Sequence, residues 1–167
     1  MNRLVLLPWI CLAHPSTSGS WFSSSPYSVL GADISLFSTH ENKTGGAFAV
    51  NAHTSNSPLE VNFLDQAPDS LLKLDAYSSN SPAGVRLHPS FEGIFELKTS
   101  IFPSVVTPDV DVEDPAGRGR KRTINVKAGR GGWIVHGDAA WVPEDPELAP
   151  AGKVKVSTKN SPLHLWV

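Results

Sequence analysis

The peptide Ser55-Asn56-Ser57-Pro58 recurs as Ser79-Asn80-Ser81-Pro82 and again as Lys159-Asn160-Ser161-Pro162, and its flanks recur in phase. Eight and six places before each proline stand Val50 and Ala52, then Leu74 and Ala76, then Val154 and Val156. Four places before it stand Thr54, Ser78 and Thr158. The first, third and fifth positions after it read Leu59, Val61, Phe63, then Ala83, Val85, Leu87, then Leu163, Leu165, Val167. Polar residues such as Glu60, Asn62, Lys73, Asp75, Arg86, Lys153 and Lys155 fall between them. A period of two marks a half-buried strand, so each copy predicts strand, turn, strand. The turn chemistry agrees. Asn tolerates the left-handed region, Pro pushes the Ser before it toward extended backbone, and Pro is tolerated where a strand restarts.

A degenerate copy at Pro103 keeps Phe95, Leu97 and Thr99 but has Ile101 in place of Asn. A fifth segment, Thr123 to Lys127, keeps Ile124 and Val126 and turns on Gly129-Arg130-Gly131-Gly132. From Pro58 to Pro82 is 24 residues and from Pro82 to Pro103 is 21, a spacing at which single units cannot bury their apolar faces alone and must stack. The pattern predicts an all-β, single-domain β-repeat fold over residues 33–167, as a solenoid-like stack of strand-turn-strand units. A two-sheet β-sandwich is the alternative. The stack is favoured because Asn56, Asn80 and Asn160 hold one position of the unit, and ladders of like side chains form when units pile up.

Composition bounds the rest. The 167 residues are 40% hydrophobic, enough for one core, and 13 Gly with 14 Pro disfavour a helical bundle. Lys plus Arg number 14 and Asp plus Glu 16, a net charge of -2, so any charged contact must come from a local patch. A single cysteine, Cys11, excludes an internal disulfide framework and a zinc site of several thiolates.

Residues 1–32 contain no acid and read as a leader or linker. Met1-Asn2-Arg3 followed by the apolar run Leu4 to Ala13 resembles a secretion signal, too short to span a bilayer. The alternative is a disordered start, since His14 to Pro26 is mostly Ser, Thr, Gly and Pro. Compartment therefore stays open between secreted or cell-surface and intracellular. The sequon Asn42-Lys43-Thr44 matters only on the secreted branch.

The Thr-Ser-Asn-Ser-Pro strands, with Ser90-Phe91-Glu92-Gly93 between two of them and Gly117-Arg118-Gly119-Arg120-Lys121-Arg122 before the next, resemble an uncharacterised domain family of mushroom-forming fungi. That family is more distantly similar to bacterial putative adhesins with Asn-Gly-Ser in place of Asn-Ser-Pro. The resemblance spans roughly Asp33 to Val167 and implies an all-β repeat fold with a surface or adhesive role. It brings no catalytic residues, and the chain departs from it at Ile101 and in the leader.

No hydrolase elbow, HExxH, Walker loop or dinucleotide fingerprint occurs, and the six histidines are scattered, so no catalytic residue, cofactor or metal site is assigned and a non-enzymatic role is expected. Asp109, Asp111, Glu113 and Asp114 lack the central Gly and terminal Glu of a calcium loop. With Pro103 to Arg122 they read as a solvated excursion. Arg118, Arg120, Lys121 and Arg122 offer a basic contact for nucleic-acid phosphate, with neutralisation of the upstream acids as the alternative. Trp166, out of phase with Leu165 and Val167, is the aromatic expected to be exposed, and with Asn56, Asn80 and Asn160 it makes the candidate ligand surface, which a glycan-binding or glycan-active protein would use as the alternative to an adhesive scaffold. The partners in view are a polysaccharide, a protein surface, or a second copy pairing through a C-terminal edge strand.

Overall fold

The computed structural model describes residues 9–13, 18–22, 30–36, 46–67, 70–109, 111–142 and 152–167. Thirteen strands follow the chain. They are β1 (Trp9–Ala13), β2 (Ser18–Phe22), β3 (Leu30–Leu36), β4 (Ala47–Thr54), β5 (Leu59–Gln66), β6 (Leu71–Ser78) and β7 (Ala83–Arg86), then β8 (Gly93–Lys98), β9 (Ser104–Thr107), β10 (Lys121–Ala128), β11 (Ile134–Val142), β12 (Gly152–Thr158) and β13 (Leu163–Trp166). Among the described residues there is no α-helix, and a 3-10 turn spans Arg130–Gly132. The all-β reading holds.

Up to β10, successive strands alternate between two sheets. One sheet runs β1-β3-β5-β7-β13-β9, here sheet A, and the other β2-β4-β6-β12-β8-β11-β10, here sheet B. Neighbours pair in parallel throughout, apart from the antiparallel pairs β10–β11 and β11–β8. Each Asn-Ser-Pro corner carries the chain from sheet B to sheet A. The last two strands do not add to an end: β12 lies between β6 and β8, and β13 between β7 and β9.

The alternating apolar rows face inward from both sheets and form one cluster. Val50, Leu74, Phe95 and Val154 of sheet B pack in it with Val61, Val85 and Leu165 of sheet A. Each such side chain taken fully from water stabilises the fold by about 1.5–3 kcal/mol. The backbones of β8 and β12 meet at Gly93 and Gly152, which are register partners. Gly93 has φ +148, and a Cβ there would collide with the Gly152 carbonyl, so the insertion of β12 depends on glycine.

The corners explain the residue four places before each proline. Thr54 Oγ1 accepts from Ser57 N–H at 3.2 Å, Ser78 Oγ donates to the Ser81 carbonyl at 2.6 Å, and Thr158 Oγ1 donates to the Ser161 carbonyl at 2.5 Å. Backbone bonds then join corner to corner, from Asn80 N–H to the Ser55 carbonyl and from Asn160 N–H to the Ser79 carbonyl, both at 3.0 Å.

Three expectations are corrected. The C-terminal strand is not an edge: β13 is hydrogen-bonded on both sides, so it has no free backbone row through which a second copy would pair. The segment Thr123 to Lys127 does not add another stacked unit. It lies in β10, which pairs antiparallel with β11 beyond the last strand of sheet A and leaves Val126 44% exposed. Nor is Pro103 to Arg122 a solvated excursion, since it contains β9 and a buried ionic cluster. Both sheets also reach back into the stretch read as leader, where β1 pairs with β3 and β2 with β4. Residues 1–8 of the signal-like run and the Asn42 sequon lie outside the described residues.

Candidate functional site

Stacking of the corners brings the three asparagines into one column. Asn80 Nδ2 donates to Asn56 Oδ1 and Asn160 Nδ2 donates to Asn80 Oδ1, each at 2.9 Å, and all three are exposed. Residues 80 positions apart in the chain are thus neighbours, because the third corner sits directly on the second. The column is a polar ridge with fixed amide spacing, set by the strand repeat beneath it.

Trp166 sits elsewhere, on the outer face of sheet A near the other end of β13. The cross-strand row there reads Asp33, Asn62, Arg86, Trp166, Thr107. Asn62 Nδ2 donates to Asp33 Oδ1 at 3.1 Å. The Trp166 ring stacks on His164 with centroids 3.7 Å apart, has the Arg86 guanidinium 5.4 Å from its centre, and lies against Gly84. Thr107 Oγ1 bonds His164 Nε2 at 2.8 Å. Burial and then the charge of Arg86 lower the His164 pKa. Trp166 is therefore half-buried in a packed aromatic and cationic group, not the open ring its phase implied. The sequence reading missed Arg86 and His164. Their outward phase next to Trp166 is the signal, and only the strand order makes Arg86 its neighbour.

The basic run divides. Lys121 and Arg118 are exposed, whereas Arg120 and Arg122 are 9% and 3% exposed. Arg120 Nη1 meets Glu92 Oε1 at 3.0 Å and Arg120 Nη2 meets Asp114 Oδ1 at 3.1 Å. The Asp114 carboxylate also accepts from the backbone N–H groups of Ala116, Arg118 and Arg120 and from Arg120 Nε. The Arg120 side chain, first, and these backbone donors hold it well below the usual carboxylate range. Arg122 donates to the carbonyls of Pro89 and Phe91, and both guanidinium groups lie over Trp141. Burial lowers the Arg122 pKa. Arg120 and Arg122 thus point into the fold, tying the β9–β10 connection to the start of β8, and are not presented to an external phosphate. Neutralisation of the upstream acid is what the geometry displays.

Among the described residues no group of three or more His, Cys, Asp or Glu is placed to hold a metal ion, and no helix is long and apolar enough to cross a membrane. No protein-family model, curated protein or solved structure matches the chain.

Proposed function

We propose that the chain is a non-enzymatic, adhesin-like scaffold: a solenoid-like β-repeat stack that presents regular polar rows for contact with another surface. The hydrogen-bonded column Asn56–Asn80–Asn160 carries this reading, because it places identical exposed amides at the spacing of the strands. Parallel pairing and the alternation of strands between sheets support a stack over a sandwich. A glycan-binding role through Trp166 is less favoured, since His164 and Arg86 already pack on that ring. Phosphate contact through the basic run is less favoured still, with Arg120 and Arg122 buried.

The test is attachment of chain-coated beads to intact fungal hyphae. Attachment that falls when Asn56, Asn80 and Asn160 are together replaced by Ala, and that persists in soluble wall sugars, supports the scaffold reading. Beads that attach no better than uncoated ones remove it. Attachment blocked by soluble sugar and by Trp166→Ala would transfer the function to glycan binding.

A further inference from the structure

The fourth corner breaks the column. Where the others have Asn and Ser before proline, Thr99-Ser100-Ile101-Phe102-Pro103 has Ile and Phe. The Thr99 hydroxyl still bonds the Phe102 carbonyl, so the corner keeps its hydroxyl-to-backbone clasp. Its surface does not: Ile101 is 59% and Phe102 40% exposed, whereas Ser57, Ser81 and Ser161 at the Phe102 position are buried.

A second turn lies beside it. Thr99 N–H donates to the Trp133 carbonyl at 2.8 Å, and Gly132 sits against Pro103. Trp133, on the glycine turn between β10 and β11, is 50% exposed. Two turn tips at one end of the stack thus carry Ile, Phe and Trp outward. Lys98, Lys127 and Arg130 on the adjoining strand ends and turn, and Lys159 on the neighbouring corner, are exposed around them. Residues 97–108, 121–137 and 152–167, whose strands run into this end, contain no Asp or Glu, and the next acid along β8 is Glu96, two residues before Lys98. A chain of net charge -2 has gathered cations around its protruding aromatic residues.

We infer that this end of the molecule docks peripherally on an anionic lipid bilayer, with Ile101, Phe102 and Trp133 entering the interface and the four cations resting on the headgroups. Trp and Phe are favoured at the boundary between headgroup and acyl chain, and basic residues add attraction to acidic lipid. The apolar residues stand on convex tips, which suits insertion into a yielding surface better than the grip of a folded acidic protein. Docking here leaves the Asn column along the same edge turned toward that surface and both outer sheet faces free.

Cosedimentation of the full chain with vesicles tests this. Vesicles of equal parts phosphatidylcholine and phosphatidylserine are expected to carry the protein down, phosphatidylcholine alone far less, with added salt weakening the partition. Ile101→Asn with Phe102→Ser restores the residues of the other corners and should abolish sedimentation while leaving the melting temperature in place. Lys98→Gln, Lys127→Gln and Arg130→Gln together should weaken it roughly a hundredfold, at about fivefold per charge. Partition that is absent, indifferent to phosphatidylserine, or unchanged in either folded variant overturns the proposal. Binding of poly-glutamate without vesicle binding would also overturn it, and would assign the patch to an acidic protein.

Discussion

The three Asn corners and the end that follows them use the same strand pattern in two different settings. In the middle, each strand has a parallel neighbour on both sides and an apolar row closed by the opposite sheet, so Val61, Val85, Val154 and Leu165 are fully buried. At the end, β10 and β11 continue sheet B where sheet A has stopped at β9. Alternation persists there but is covered only in part: Val135 and Ala139 of β11 are buried in the core, whereas on β10 Ile124 is only partly buried and Val126 is exposed. An apolar row is a core only where a second layer meets it. The end compensates with ionic and cation–π contacts around Trp141, which take over from aliphatic packing at the far end of β10 and β11.

The largest test of that contrast sets Val156→Asp against Val126→Asp. Val156 is 1% exposed and pairs in register with Ala76 and Leu97, so its replacement puts an unpaired charge between two layers. A cost of about 5 kcal/mol or more, comparable to the whole stability of a domain, is expected, with loss of soluble folded protein. Val126→Asp should change stability by less than about 1 kcal/mol. Denaturant titration measures both. Similar midpoints for the two would mean that the inserted C-terminal pair of strands does not close the core.

The ionic end is tested by Arg120→Ala. The Arg120 side chain is 6% exposed and joined to both Glu92 and Asp114, and truncating it takes the buried guanidinium away from two carboxylates. About 3–5 kcal/mol should be lost, against less than about 0.5 kcal/mol for Lys73→Ala on the outer face of β6. A double-mutant cycle with Glu92→Gln gives the coupling directly. Near-additive losses would show that Arg120 does not act through Glu92.

These two regions were also unequally legible. The middle could be read because each corner repeats its chemistry, and Val50, Leu74 and Val154 announce the same inward row three times. Their burial follows from a period of two and needs no knowledge of which strand lies beside which. The placement of β13 could not be read, because strand order is a long-range choice: a chain's last strand is locally identical whether it caps the stack or enters it. Only Gly93 and Gly152, whose backbones approach too closely for a Cβ, carry a trace of the insertion. The basic run misled for a related reason. Arg120 and Arg122 are in phase with each other and with Ile124, which marks the inward face of β10, yet their charge argued for solvent. Trp166 was placed correctly on the outer face, but its cover comes from His164 on its own strand and Arg86 on β7.

Acid separates the regions further. Asp114 has a depressed pKa in the fold, so it contributes stability that is fully present above the unfolded value of about 3.9 and is lost as pH falls below it. Burial likewise depresses His88, whose Nδ1 accepts from Ser90 N–H, so a second loss begins as pH falls below about 6.5. Both groups sit by the ionic end. Asp114→Asn should lower stability at neutral pH and flatten the acid limb, while His88→Gln flattens the higher window. Melting curves between neutrality and strong acid check this. An acid limb identical in Asp114→Asn and wild type would remove Asp114 as its source.

The smallest expected effect bears on the corners themselves. Asn80 is the middle member of its column, donating to Asn56 and accepting from Asn160, and both bonds are open to water. Asn80→Ala should therefore cost only about 0.5–1 kcal/mol, since water replaces what the amides lose. Ile101→Asn runs the experiment in reverse: Leu163 and Ser104 are register partners, so the fourth corner stacks on the third and a new amide would stand next to Asn160. If regular stacking alone decides the column, this variant gains a few tenths of a kcal/mol and sheds exposed apolar surface. If it loses stability instead, Ile101 is packed against its neighbours at Phe102 or Trp133, and the break in the column is part of how the end of the stack is built.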